Sequence, residues 1–114
     1  MSALNLKEYG QRIFKSREMP DALDTINIEL SGWYANIASE MAILERQEAV
    51  FWQKHKGFEL EKPRSDAYVN ALWRVTEEGM KHSEIGLQMK TIEKLMSTIR
   101  SSLARADREF RAMK

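Results

Sequence analysis

The sequence predicts an all-α protein: an elongated antiparallel hairpin of two long helices, preceded by a short N-terminal helix and held together by coiled-coil-like packing. Three observations support this prediction. Apolar residues recur at helical spacing along residues 85–113, a second apolar series follows residues 23–51, and the two segments around these series carry opposite charge. Neither series contains proline, and each is longer than the helices of an ordinary compact domain.

The first helix is predicted over residues 5–17. Asn5 and Glu8 have the spacing of a capping box, in which side chains at the helix start bond backbone N–H groups that have no helical partner. Pro20 disfavours helical backbone at the residue before it, so this helix should end near residue 17. Its apolar residues lie close to helical spacing and are Leu6, Tyr9, Ile13 and Phe14.

The second helix is predicted over residues 20–56. Pro20 suits a first helical turn, where its missing N–H costs nothing, and Asp21 favours the positive end of the helix dipole. Gly57 can adopt the left-handed conformation that commonly ends a helix. At about 1.5 Å per residue, such a helix is more than about 50 Å long. Its apolar positions are Leu23, Ile26, Leu30, Trp33, Ile37, Met41, Leu44 and Phe51.

The third helix is predicted over residues 65–114, with Ser65 or Asp66 as its cap. Glu77, Glu78 and Gly79 dilute the apolar pattern before Ile85. Gly79 and Gly86 indicate either a kink or only a cost of about 1 kcal/mol each relative to alanine, and we expect one continuous helix with a weak point there. The C-terminal seam then alternates steps of four and three; its a positions are Met89, Met96, Leu103 and Phe110, and its d positions are Ile85, Ile92, Ile99, Ala106 and Met113.

The two long helices are predicted to pair in an antiparallel arrangement within one helical domain, residues 1–114. Residues 18–53 carry seven acidic side chains and one basic one, whereas residues 87–114 carry seven basic side chains and three acidic ones. A short loop favours antiparallel neighbours, and isoleucine at d disfavours a parallel dimer. Apolar residues beside the seams widen both faces and predict a homo-oligomer, most simply a dimer; they include Tyr34, Trp52 and Leu95.

The composition argues against catalysis, metal binding and membrane insertion. There is no cysteine, so disulfides and thiolate sites are excluded and a reducing compartment is expected. Neither His55 nor His82 belongs to a Glu-x-x-His pair of the kind that di-metal helical bundles use. The chain has no Gly-x-Ser-x-Gly turn, no glycine-rich phosphate loop and no apolar run of about 18 residues. We therefore expect a cytoplasmic protein that is not an enzyme, with no catalytic residue, cofactor, metal or membrane partner.

A row of basic residues on the C-terminal helix is the leading candidate site, for nucleic acid. These residues fall at the outward b, c and f positions and are Lys90, Lys94, Arg105, Arg108 and Arg111. Serine and threonine lie among them, and Lys, Arg and hydroxyl groups are the usual contacts of phosphate backbones. The net charge is only +1, so binding would depend on this local surface. The alternative interpretation is a solvated helix surface without a ligand.

The end of the predicted hairpin is the second candidate site, for a protein partner. It combines aromatic and cationic side chains, namely Trp52, Lys54, His55 and Lys56. Aromatic residues at helical spacing more commonly pack in a core, so internal packing is the alternative for Trp52.

The stretch Gln88 to Leu103, QMKTIEKLMSTIRSSL, resembles the C-terminal part of small helical proteins encoded by bacteriophages. The preceding Trp73 and the run Thr76-Glu77-Glu78-Gly79 also fit this resemblance. Such proteins often belong to phage early regions concerned with DNA replication and recombination. The resemblance implies a viral accessory protein in the host cytoplasm and supplies no catalytic residues.

These observations together predict a non-enzymatic, oligomeric phage accessory protein that acts on DNA or on a DNA-processing complex. Two alternatives stay open. One is an inhibitor or adaptor that binds a host or phage protein through the acidic helix or the hairpin end, and the other is a structural or assembly factor.

Overall fold

The computed structural model describes residues 4–113, and this range contains four α-helices and no β-strand. The helices are α1 (Leu6–Lys15), α2 (Pro20–His55), α3 (Asp66–Arg74) and α4 (Glu77–Ala112). The predicted all-α class is confirmed, and both ends of α1 and α2 lie within two residues of their predicted positions. The predicted end of the last helix at Lys114 lies outside the described residues.

The prediction of one continuous helix over residues 65–114 is wrong, because the chain breaks it into α3 and α4 at Val75 and Thr76. Thr76 Oγ1 donates a hydrogen bond to the Trp73 carbonyl at 2.6 Å and accepts one from the Gly79 N–H at 2.9 Å. Thr76 therefore caps a new helix, and Glu77 and Glu78 lie in its first turn, where acidic groups are favoured. We call residues 73–79 the α3–α4 corner.

Three predicted helix ends are confirmed by their backbone and side-chain geometry. The Glu8 N–H donates to Asn5 Oδ1 at 3.1 Å at the start of α1, and the Tyr68 N–H donates to Ser65 Oγ at 3.2 Å before α3. Gly57, just after α2, has a φ of 74°, which residues with a side chain rarely adopt. Local side-chain chemistry thus determines where these helices begin and end.

The chain divides into two compact units, and the first comprises Met1–Asn36 and Gln88–Lys114. It contains α1, the first part of α2 and the later part of α4. Leu23 and Leu30 of α2 and Ile92 and Ile99 of α4 are fully buried in its core. Tyr9 and Ile13 of α1 are buried in the same unit. That the whole chain is one domain stays a prediction.

The C-terminal seam is buried chiefly at its d positions. Ile92 and Ile99 are inaccessible to solvent, whereas Met89 and Met96 at the a positions are half-buried. The last two residues of the seam, Phe110 and Met113, are 59% and 85% exposed. The predicted helical phase of α4 is therefore correct, and the described residues leave the final turn of the seam uncovered.

The second unit, Ile37–Leu87, contains the remainder of α2, the connecting loop, α3 and the start of α4. Its buried residues are Ile37, Leu44, Val69, Trp73 and Ile85. Glu48 of α2 lies 3.8 Å from His82 of α4, while a Cβ at Gly86 would lie 3.7 Å from Met41 Cε. Because the α4 number falls as the α2 number rises, these segments run in opposite directions within this unit.

Candidate nucleic-acid interface

The predicted basic row lies on the exposed side of α4 in the first unit. All five of its side chains are solvent-exposed: Lys90, Lys94, Arg105, Arg108 and Arg111. At about 100° per residue, the first four fall within an arc of about 60°, and Arg111 lies about 60° to one side. Ile92 and Ile99 fall on the opposite side of the helix, where they are buried. Burial of Ile92 and Ile99 therefore places the basic row on the solvent-facing side of α4.

The row keeps most of its positive charge uncompensated. Arg111 Nε lies 3.2 Å from Asp107 Oδ2 in an exposed pair. The other four cations form no ion pair with any residue in the range 4–113. Glu93 and Glu109 lie outside the arc, by about 60° and 40°. Glu93 accepts a 2.7 Å hydrogen bond from Tyr34 Oη, which raises the pKa of Tyr34. This contact turns the Glu93 carboxylate towards α2.

The residues between the cations leave the row open to a large ligand. Ser97, Ser101 and Ala104 are exposed and small; Ser101 falls within the same arc, and Ser97 and Ala104 lie about 20° and 40° outside its edge. From Lys90 to Arg108 the row extends about 27 Å along the helix axis. Such a surface can contact several phosphates of one polyanion at once.

The four residues predicted at the hairpin end lie at or just after the end of α2 in the second unit, where the Lys56 side chain bonds the loop. Lys56 Nζ bonds the Arg64 carbonyl and lies 2.6 Å from Asp66 Oδ1, and its side chain is only 16% exposed. The His55 ring packs against Phe51 with centroids 4.1 Å apart. Trp52 is half-buried, with the Lys56 ammonium 5.7 Å from its ring, and Lys54 is exposed. A partner site here stays a prediction, with Lys54 its most accessible member.

A polar network that the sequence did not indicate attaches α1 to α2. Arg12 donates two hydrogen bonds to the Glu29 carboxylate, at 2.8 and 3.1 Å. Tyr9 Oη donates to the same carboxylate at 3.2 Å and accepts a bond from Trp33 Nε1 at 3.1 Å. The hydrogen bonds and charge of Arg12 lower the pKa of Glu29, and Glu29 in turn raises the pKa of Arg12.

We expect this network to make the stability of the protein depend on acid. A carboxylate whose pKa is lowered by folding stabilises the native state above its unfolded pKa and loses that effect as pH falls through its folded pKa. Glu29→Gln should therefore melt below wild type at pH 7 and approach it in acid. Both side chains are 39% exposed, so the difference should not exceed about 1 kcal/mol. Thermal melts of both proteins from pH 7 into acid would test this prediction. A difference in melting temperature that does not change with pH would contradict it.

A groove in the second unit was also missed by the sequence reasoning. It has a volume of about 400 Å³, and its lining comprises apolar Ile43 and Leu44, the three acidic residues Glu40, Glu77 and Glu78, and Gln47 and Lys81. The sequence placed Glu77 and Glu78 within one long helix, whereas they form the first turn of α4 beside α2. The signal was Thr76 followed by two acidic residues, which is typical of a helix start.

His82 has an internal partner in the second unit. The Trp73 Nε1–H donates to His82 Nδ1 at 3.2 Å, and the two rings meet edge to face with centroids 6.0 Å apart. Over the described part of the chain, no three His, Cys, Asp or Glu side chains lie close enough together to hold a metal ion. None of the helices between residues 4 and 113 combines the length and apolarity needed to span a bilayer.

Fold and surface together define an all-α protein with a cationic row on one helix and an acidic groove in a separate unit. No protein-family model matches the chain, and comparison with curated proteins and with solved structures likewise gives no match.

Proposed function

We propose that this protein is a non-enzymatic accessory protein that binds DNA through the phosphate backbone along the outer surface of α4. The observation that carries the proposal is the group of four exposed cations within about 60° of arc: Lys90, Lys94, Arg105 and Arg108. A solvated helix normally alternates the sign of its charges, whereas between Lys90 and Arg108 this arc contains four cations, Ser101 and no acidic residue.

Binding of this kind should be weak and tolerant of sequence. No helix-turn-helix, zinc finger or other groove-reading motif is present in the sequence, so the cations have no means of reading base edges. Phosphate contacts position a protein on nucleic acid without selecting a sequence, and each one releases a counterion. Salt concentration should therefore control the affinity strongly.

The same proposal includes an antiparallel hairpin, a homo-oligomer and a phage origin. Opposite chain directions in the second unit favour the hairpin. Phe110 and Met113 continue the buried seam yet are exposed, so covering by a second copy would complete it. The resemblance of residues 88–103 to phage-encoded helical proteins supports an accessory role in DNA replication or recombination, in the host cytoplasm. Light scattering should give a mass above the 13.3 kDa of one chain.

Charge reversal within the row should weaken DNA binding without affecting folding. We expect Lys94→Glu with Arg108→Glu to lower affinity at least about tenfold and to reduce the slope of log K against log salt by about 2. Fluorescence anisotropy with single- and double-stranded DNA at several salt concentrations would measure both. The matched control, Lys62→Glu with Arg74→Glu, makes the same change in net charge at exposed positions of the second unit. Equal losses in both variants would contradict a localised site, and no wild-type binding at low salt would end the proposal.

The acidic groove favours a second candidate function, binding of a cationic protein segment by an inhibitor or adaptor. Glu40, Glu77 and Glu78 line the groove together with the half-exposed Ile43, and they outnumber its one cation, Lys81, so the groove suits an amphipathic basic helix. A pull-down from host lysate with and without nuclease separates the two functions. A protein retained after nuclease treatment, and lost in Glu40→Lys with Glu77→Lys, would favour the adaptor.

A further inference from the structure

Helix α1 presents an exposed aromatic ring surrounded by cations. Phe14 is 65% exposed on the side of α1 away from the buried Tyr9 and Ile13. The Arg17 guanidinium lies 4.3 Å from the Phe14 ring centroid, and Arg17 Nη1 donates to the Phe14 carbonyl at 2.9 Å. An aromatic ring with one face covered by a guanidinium has its other surface available for a further planar group.

A depression beside this ring has a cationic lining. It has a volume of about 520 Å³, and none of the residues that line it is acidic: Lys7, Gly10, Gln11, Phe14 and Lys15. Lys7 and Lys15 are exposed, and Arg17 adds a third positive charge next to the ring. The site therefore combines a flat apolar surface with groups that attract anions.

No packing contact with a described residue explains why position 10 is glycine. A Cβ at this position would meet nothing within 4 Å, and the residue lies inside a helix, where glycine is less favourable than alanine. On α1 it is four residues before Phe14 and so lies next to it on the helix surface. A side chain here would fill part of the depression. The glycine keeps this space open at some cost to the helix.

We propose that this depression binds one base of single-stranded nucleic acid, stacked on Phe14, with the flanking phosphates held by Lys7, Lys15 and Arg17. This inference rests on the proposed function and adds a strand preference to it. Stacking on an aromatic side chain requires an unpaired base, because duplex bases already stack on one another. The row on α4 belongs to the same unit and supplies contacts to other phosphates.

Two other occupants fit the chemistry less well. A two-fold contact with a second copy would place Lys7, Lys15 and Arg17 against the same cations, and such repulsion disfavours the contact. A membrane-surface helix needs a broad apolar face, whereas the apolar residues Tyr9 and Ile13 of α1 are already buried.

The decisive test compares aromatic and aliphatic side chains at position 14 with two polyanionic probes. Phe14→Leu should bind labelled oligothymidylate at least about fivefold more weakly than wild type, and Phe14→Trp should bind it as well as wild type. Inorganic polyphosphate carries negative charge but no base, so all three proteins should bind it equally. Equal binding of oligothymidylate by Phe14→Leu and wild type would overturn the inference.

The glycine provides an independent test. Gly10→Ala should raise the melting temperature, because alanine is the better helix former, and weaken oligothymidylate binding, because the methyl group occupies part of the depression beside Phe14. Gly32→Ala, at an exposed position of α2 where a Cβ also meets nothing within 4 Å, should raise the melting temperature and leave binding unchanged. Unchanged binding by Gly10→Ala would count against the site.

The outcomes separate this inference from the proposed function. If duplex DNA and polyphosphate bind through the α4 row and Phe14→Leu changes nothing, only the inference fails. If wild type binds neither duplex DNA nor polyphosphate, both the proposed function and this inference fail. If Phe14→Leu loses binding to vesicles of anionic phospholipid while its oligothymidylate binding is unchanged, the depression is a membrane contact and the inference is overturned.

Discussion

Gly79→Ala should destabilise the protein by about 3 kcal/mol or more. A Cβ at this position would lie 1.8 Å from the Trp73 carbonyl oxygen and 2.6 Å from its carbon. Both are backbone atoms of the α3–α4 corner, so no side-chain rotation can relieve the overlap. The corner would have to open, and the Thr76 hydrogen bonds that cap α4 would be strained or lost.

Gly32→Ala is the matched control for this prediction, since it makes the same chemical change within a helix. Gly32 is exposed, and a Cβ there meets nothing within 4 Å. The alanine should therefore stabilise the protein by about 0.5–1 kcal/mol, because glycine is the poorer helix former. Urea unfolding of both variants would measure these opposite effects. A Gly79→Ala protein as stable as wild type would show that the Trp73 carbonyl does not lie against residue 79.

Helix ends and helical phase could be predicted because both depend on residues close together in sequence. Pro20 starts α2, Asn5 caps α1, and the 4-3 spacing around Ile92 and Ile99 identifies the buried side of α4. The exposure of the basic row follows from the same phase, since residues opposite a buried stripe must face solvent.

The break at the α3–α4 corner escaped prediction because its cause is partly non-local. Thr76 followed by two acidic residues is a local helix-start signal. In the sequence, however, Gly79 looks only like one more residue that interrupts the apolar pattern. The need for glycine at position 79 is visible only in the structure, where the Trp73 carbonyl occupies the space that a Cβ would take. The acidic groove was missed for the same reason, since its acidic residues depend on where α4 begins.

The sites that depend on the loop and on distant side chains could not be predicted from spacing. Lys56 is directed by Arg64 and Asp66, residues whose position depends on how the loop folds back. Arg12 and Glu29 are 17 residues apart and meet only because α1 packs on α2. Periodicity identifies a face of a helix, whereas these contacts require the arrangement of several elements.

Ile99→Asp should be among the most damaging single substitutions in the first unit. Ile99 is 0% exposed, and a carboxylate placed there would lie in an apolar core with no designed partner. The expected loss is about 4 kcal/mol or more, at the upper limit of what single substitutions cause and comparable to the total stability of a small domain. The variant should lose cooperative unfolding of this unit and much of its helical circular dichroism signal.

Two neighbours on α4 provide the comparison that makes this prediction specific. Met96→Asp, at a half-buried a position, should be less damaging, because the carboxylate can reach water at the edge of the seam. Ser97→Asp, at an exposed position, should stay within about 0.5 kcal/mol of wild type. The order of urea midpoints should therefore be Ser97→Asp above Met96→Asp above Ile99→Asp. Equal losses of stability at all three positions would mean that α4 does not bury the side that carries Ile99. The assignment of the basic row to the solvent-facing side of α4 would then also be wrong.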